Sequence, residues 1–440
     1  MKITIPELCL VILIGPSGAG KSTFARQHFQ PTEVLSSDAC RGWVSDDETD
    51  QSATEDAFEV LHLVARKRLA RGRLTVVDAT NVQLHARQSL VALAREHYVQ
   101  LVAIVFDLPE EVCAGRNRRR PDRRFGPQVL RNQWEQLQRS IPHLEQEGFR
   151  KIWILSTPEE VAAVSIHRRR LWTNRKTDRG PFDIIGDIHG CADELEELLT
   201  ALGYAPDESG VWRHPLGRRV VFLGDLVDRG PRIADVLRIA MGMVSSRTAL
   251  CVPGNHDEKL RRWLEGRRVK IAHGLERSVE ELERETPAFR ARVAAFLDSL
   301  VSHYVLDGGR LVVAHAGMKE AMQGRDSGRV RGFALYGETT GEMDEFGLPV
   351  RLNWAAEYRG RAMVVYGHTP VATPEWLNHT LNIDTGCVFG GRLTALRYPE
   401  LELVSVPAGQ VYVGSRRPFL AADLAPEAEP AATAGPSEET

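Results

Sequence analysis

Two groups of residues in this chain have types and spacings suited to phosphate chemistry. The first is Gly15-Pro-Ser17-Gly18-Ala-Gly20-Lys21-Ser22, which spells GxxxxGK[ST] between an apolar run and a helical pattern. Such glycines let backbone N–H groups face a triphosphate, and the N-terminus of the following helix adds partial positive charge. Lys21 is expected to reach the β and γ phosphates. Ser22 is expected to hold Mg²⁺, and Thr23 is counted with the loop. The expected cofactor is therefore ATP with Mg²⁺. Asp38 follows the next apolar run, at the strand end where open α/β sheets bind ligands, so it can take a proton from an attacking hydroxyl. It could equally cap a helix. Asp78 ends a further run and would sit near Mg²⁺ and water, or close a simple turn.

The second group is five blocks in order: Gly186-Asp187-Ile-His189-Gly190, Gly224-Asp225-Leu-Val-Asp228-Arg229-Gly230, Gly254-Asn255-His256-Asp257, His315-Ala-Gly317 and Gly367-His368-Thr-Pro370. Each follows an apolar run. Carboxylate, imidazole and amide ligands together suit hard or borderline divalent metals such as Mn²⁺. Asp187 and His189 can turn toward one metal, and Asp225 can bridge two. Asn255, His315 and His368 can complete the second position. Two metals about 3.5–4 Å apart activate a bridging water and neutralise phosphate oxygens. Arg229 can bind the phosphate, and His256 can protonate the leaving oxygen. Asp384 follows a later run and could orient a ligand histidine or cap a turn.

The elements that must position these residues fall into an α/β pattern. Short apolar runs at 8–14, 34–37, 74–77, 101–106 and 152–155 alternate with helical stretches at 55–71 and 84–98. That alternation predicts a parallel sheet flanked by helices over a first domain, 1–170. Residues 171–181 are polar, basic and closed by Gly180-Pro181, and read as a linker. A second alternation over 182–415 ends in short strands and carries a charged helical insert at 256–300. From 416 to 440 the chain turns to Ala, Pro and Glu, a composition expected to be disordered.

The 440 residues have 43% apolar and 26% charged content, which excludes collagenous, coiled-coil and wholly disordered classes. No apolar run approaches the ~20 residues of a membrane span, so no membrane partner is expected. Six scattered cysteines without a CxxC pair argue against a disulfide framework and fit a reducing cytoplasm. The net charge of −3 is unevenly spread. Residues 418–440 hold five acidic groups and no basic ones, while 115–124 hold six arginines and one aspartate. Those arginines (Arg116, Arg118, Arg119, Arg120, Arg123 and Arg124) follow the fourth strand, where a lid could clamp a transferring phosphate. Arg116 and Arg120, four apart on one helical face, are the favoured pair.

The five later blocks resemble the metallophosphoesterase superfamily over roughly 182–400, near the Ser/Thr protein phosphatase branch. Asp257 stands where that branch usually has Glu. The front half resembles small P-loop phosphotransferases. Together, with Ser37-Asp38-Ala-Cys-Arg41 and the arginine patch, they look like bacterial polynucleotide kinase-phosphatases of the RNA end-healing type. The implied fold is a P-loop kinase followed by an αββα metallophosphoesterase sandwich. The implied activities are phosphorylation of a polynucleotide 5′-OH and removal of 2′,3′-cyclic, 2′- or 3′-phosphate. The implied partners are RNA or DNA ends. In that family the residue matching Asp38 is the general base, that matching Arg41 contacts the acceptor strand, and that matching Asp384 belongs to the phosphatase site. The family's ligase signature KxDG does not occur, so sealing would fall to a separate ligase, and any RNA methyltransferase would also be separate.

Two other readings use the same residues. One is a small-molecule kinase fused to a protein or dinucleotide polyphosphate phosphatase, which gains nothing from a polynucleotide acceptor. The other is a nucleotide-gated scaffold, which would need lost catalytic residues. Lys21, Ser22, Asp38 and the six proposed metal ligands are all present.

Overall fold

The computed structural model describes residues 1–119 and 126–415. The chain divides into two compact units, 1–174 with 321–331, and 175–320 with the remainder.

The first unit is built on five parallel strands. In spatial order they are Val34–Ser36, Thr75–Asp78, Cys9–Ile14, Gln100–Phe106 and Lys151–Leu155. Both faces of the central strand are buried. Leu10, Ile12 and Ile14 point into one apolar cluster, Cys9, Val11 and Leu13 into the other. This period-two alternation explains why the strand reads as an unbroken apolar run. A parallel pair joins Lys2–Pro6 to Ser165–Arg169. Beside it, Arg168 makes two 2.7 Å bonds to the Glu33 carboxylate.

The second unit holds two five-stranded sheets. The first runs Ala249–Cys251, Arg219–Phe222, Phe182–Ile185, Arg392–Tyr398, Glu402–Pro407, and its first three strands are parallel. The second runs Tyr304–Leu306, Leu311–Val313, Met363–Tyr366, Thr380–Asn382, Glu375–Leu377, with its three middle strands parallel. Phe182, Ile184, Val221 and Leu223 meet Val313, Val365, Leu381 and Ile383 in one core between the sheets. Ile185, Val220 and Phe222 face the other way, onto residues of the helices Ala192–Ala201, Ile233–Ser245 and Asn255–Leu264.

Two segments differ from the linear reading. Residues 171–181 are hydrogen-bonded rather than loose. The Leu171 amide and Asn174 side chain donate to Glu7, while the Arg175 amide donates to Val305 and Asp178 accepts from the Asp307 amide. Residues 321–331, placed in the second domain by their sequence position, belong to the first unit. There Arg325 donates to the carbonyls of Leu69, Ala70 and His97 at the ends of two helices. Cationic donors at helix C-termini satisfy carbonyls that lack an intrahelical partner.

Candidate functional site

The parallel register aligns the strand ends of the second unit. Phe222 stands level with Ile185 and Cys251 in the first sheet, and Val365 with Val313 and Leu381 in the second. The loops leaving these strands carry Asp187, Asp225, Asn255, His315, His368 and Asp384. All six sit on one buried cluster or its cavity wall.

Backbone strain is concentrated here. His189, Asp225, Asp228, Arg229 and His368 all have φ between 46° and 75°, a region unfavourable for residues with a Cβ. Such conformations persist where the surroundings over-determine them, as at ligand sites. Gly254 is required by contact: a Cβ there would lie 1.9 Å from Asp225 Oδ1.

The imidazole tautomers follow from backbone partners. His189 Nδ1 donates to the Val227 carbonyl at 2.8 Å, and His315 Nδ1 donates to the Leu223 carbonyl at 3.1 Å. Each therefore presents an Nε2 lone pair to the cluster, the arrangement that a carbonyl bonded to the other ring nitrogen gives metal-binding histidines. His315 Nε2 lies 3.1 Å from Asn255 Oδ1, 2.9 Å from His368 Nδ1 and 3.5 Å from Asp225 Oδ2. His189 Nε2 lies 3.5 Å from the same Asp225 oxygen. Asp225 thus stands between two half-sites. Asp187 Oδ2 accepts from the His368 amide, while its buried Oδ1 has no hydrogen-bond partner; neither has His368 Nε2. Buried polar atoms are normally paired. The unpaired Asp187 oxygen and the imidazole lone pairs around it fit divalent cations.

Electrostatics agree. Burial, with Asp384 and Asp225 nearby, raises the Asp187 carboxyl well above its ordinary range. Burial likewise pushes Asp225 and Asp384 each to about 7. Burial lowers His189, with Arg229 adding to the effect, and takes His315 to about 3. The cluster holds carboxylates that resist charging and imidazoles that stay neutral, a set that cations would relieve.

Arg229 and His256 border this cluster. Arg229 donates to His189 Nε2 at 2.7 Å and to His256 Nε2 at 2.9 Å, with its guanidinium over the Phe389 ring. His256 Nδ1 is 2.6 Å from Asp228 Oδ2. His256 also falls with His189 and Asp225 in one potential ligand group. Asp384 caps its own turn by accepting from the Gly386 amide, and it lines the cavity; among the described contacts it orients no histidine. The cavity measures about 560 Å³, and its wall includes His273, Arg277, Arg351 and Phe389.

Sequence reasoning passed over several supporting residues. Asp228 lay within a quoted block without a role. Ser278, in the helix Leu275–Arg284, donates to Asp228 Oδ1 at 2.5 Å. Glu281 accepts the Ile233 and Ala234 amides at the start of the helix Ile233–Ser245. The Arg229 amide donates to the Gly274 carbonyl. The charged insert therefore both walls the cavity and holds the Asp228–Arg229 loop. Asp257 accepts from the Leu226 and Gly254 amides, tying two metal loops together. Of these, Asp228 and Asp257 had a signal, their places within the motif blocks.

The first unit has its own cleft of about 720 Å³, lined by Ser17, Gly18, Gly20, Lys21, Ser22, Asp38, Arg41, Asp78 and Gln133 among others. Lys21 Nζ donates to the Gly15 and Pro16 carbonyls at 2.7 and 2.9 Å. The Ser17 amide donates to the Gln133 side chain. Asp78 bonds Ser22; burial raises its carboxyl, opposed by Lys21. Ser36, not Asp38, caps the helix Ser37–Ser45, accepting from the Ala39 amide. Asp38 instead pairs with Arg41 at 2.6 Å. Arg116 donates to the Ala19 carbonyl beside Gly20. Thr23 is exposed and does not line the cleft. Arg118 and Arg119 are exposed, and Arg120, Arg123 and Arg124 lie outside the described residues, as does 416–440.

Together the second fold and its ligand cluster define a metal-dependent phosphoesterase. Residues 180–372 match the model of the calcineurin-like phosphoesterases, and residues 10–144 match an AAA domain model. An Anoxybacillus flavithermus protein named bis(5′-nucleosyl)-tetraphosphatase PrpE, asymmetrical, is 49% identical over 54% of this chain and 99% of its own length. Proteins of the same name from a Geobacillus species and from Bacillus subtilis are 48% and 47% identical. They cover 52% and 53% of this chain, and 96% and 98% of their own lengths. One solved structure, described as a diadenosine tetraphosphatase whose activity is not established, covers 54% of this chain and 97% of its own. It is 27% identical, with a TM-score of 0.40. The chain belongs to the calcineurin-like phosphoesterase family, and it joins that phosphoesterase to a P-loop kinase-like domain. Among the described residues, no helix is long and apolar enough to cross a membrane.

Proposed function

We propose that the second unit hydrolyses dinucleoside polyphosphates, and that the first unit is an ATP- and Mg²⁺-dependent phosphotransferase for a nucleotide-like hydroxyl. The observation that carries the hydrolytic half is the 49% identity across 99% of a protein named for that activity. In this reading Asp187, His189 and Asp225 hold one metal, with Asp225, Asn255, His315 and His368 holding the other; Mn²⁺ suits these ligands. Such a pair supplies an activated water and charge neutralisation. Arg229 is the anchor for a phosphate oxygen. His256, held by Asp228, faces the departing oxygen. Arg351 extends the cationic wall toward the remaining phosphates.

A second reading is favoured by one observation, the Asp38–Arg41 pair facing the phosphate-loop cleft. That pair suits a base and a strand-contacting arginine, and with it the chain would heal RNA or DNA ends. Phosphatase substrate choice separates the two readings. Wild-type protein with Mn²⁺ is given bis(5′-adenosyl) tetraphosphate or a short RNA bearing a 3′-phosphate. Faster release of a mono- and a triphosphate from the dinucleotide supports the first reading. A kcat/KM favouring the RNA, with ATP-dependent gain of a 5′-phosphate on a 5′-OH RNA, transfers the assignment to end healing.

A further inference from the structure

A second potential ligand cluster lies outside the phosphoesterase cavity. Cys191, Glu194 and Cys387 each bring one ligand atom to within 4.8 Å of the others. The three residues are at most 3% exposed, and none lines either cavity. The Cys191 thiol faces the His189 carbonyl at 3.9 Å. Glu194 Oε1 accepts from the Gly409 amide at 2.9 Å and from the Tyr412 hydroxyl at 2.7 Å. Glu194 Oε2, equally buried, has no hydrogen-bond partner. A buried carboxylate oxygen is normally satisfied, so this one marks a missing positive charge or donor. Two sulfurs and one carboxylate oxygen match the preferences of zinc and not those of a hard cation such as Mg²⁺.

We propose that Cys191, Cys387 and Glu194 bind a zinc ion distinct from the phosphoesterase metals. Binding forms two Zn–S bonds and one Zn–O bond, and the two displaced thiol protons pass to water. Tyr412 holds the other carboxylate oxygen, Glu194 Oε1. The ion would join three pieces of chain: the start of the helix Ala192–Ala201, the turn Cys387–Phe389 and the segment 409–412. Cys191 lies two residues after His189, and Cys387 three after Asp384. The zinc would therefore staple two phosphoesterase loops from behind without touching substrate.

The test uses full-length protein stripped by a chelator and titrated with Co²⁺. Cobalt also enters the phosphoesterase cluster, but only sulfur ligation gives a thiolate-to-metal charge-transfer band in the near ultraviolet. The expected result is a band whose limiting amplitude corresponds to one thiolate-bound cobalt per chain, which bleaches on adding Zn²⁺ and is lost in Cys387→Ser. A wild-type sample whose cobalt gives visible bands and hydrolysis but no thiolate band overturns the proposal. A band unchanged in Cys387→Ser overturns the assignment. Should the variant fail to fold, zinc-edge X-ray absorption on the wild type decides. Sulfur neighbours at ~2.3 Å are expected, and a shell of nitrogen and oxygen alone contradicts them.

Discussion

The two phosphate-handling sites differ in how their polar groups are satisfied. In the phosphate-loop cleft they already have partners: Lys21 bonds carbonyls of its own loop, and the Ser17 amide is met by Gln133. A nucleotide would have to displace these contacts. In the metal cluster, Asp187 Oδ1 and His368 Nε2 are buried without partners, and the His315 Nε2 lone pair faces Asn255 Oδ1 at 3.1 Å. Buried polar atoms left unpaired cost free energy, and burial plus strained loops hold them in place. The first site's donors are partnered within the protein; the second site keeps polar atoms buried and unpaired.

Breaking each site singly should expose this difference. Asp225→Asn removes the carboxylate between both half-sites, and hydrolysis should fall to background while ATP-dependent transfer persists, as read in parallel assays. Lys21→Ala removes a group that can exchange onto phosphate. Transfer should fall about 10²–10³-fold, with hydrolysis unchanged. His256→Ala sharpens the substrate question. A departing polyphosphate is a good leaving group and needs little protonation, whereas a ribose oxygen needs much. Hydrolysis of a dinucleoside polyphosphate should therefore drop less than hydrolysis of an RNA 3′-phosphate, and equal losses would argue against the role given to His256.

The smallest effect lies away from both sites. Burial raises the Glu33 carboxyl, but bonds from Arg168 and the Gln30 amide outweigh it and hold the group below its ordinary value. A lowered folded-state pKa means stability present above the unfolded value and lost as pH falls through the folded one. Arg168→Ala should cost about 1.5 kcal/mol at neutral pH by chemical denaturation. The difference from wild type should shrink once acid protonates Glu33.

The six candidate metal ligands could be picked out because each is a polar residue soon after an apolar strand, and the register of the parallel strands brings such ends together. The phosphate loop was legible for the same reason. Arg351, Ser278 and Gln133 were not, because each reaches its site from an element with no motif and only the tertiary fold brings it there. The pairing of Lys2–Pro6 with Ser165–Arg169 and the placement of 321–331 with the first unit are contacts across more than 150 residues. Local pattern carries no trace of such pairings. The general resemblance to end-healing enzymes identified both chemistries, a kinase-like P-loop domain and a metallophosphoesterase. Its implied phosphatase substrate, a polynucleotide phosphate end, is not what the similar proteins are named for; their names match the dinucleotide polyphosphate alternative. Asp225 and His315 would serve either phosphoester alike.

The most direct test of the preformed metal cluster is anomalous diffraction from crystals of the full chain grown with Mn²⁺. The account predicts two peaks about 3.5–4 Å apart, with Asp225 between them and His189 and His315 on opposite sides. A single peak, or peaks away from the Asp187–His368 cluster, would contradict it.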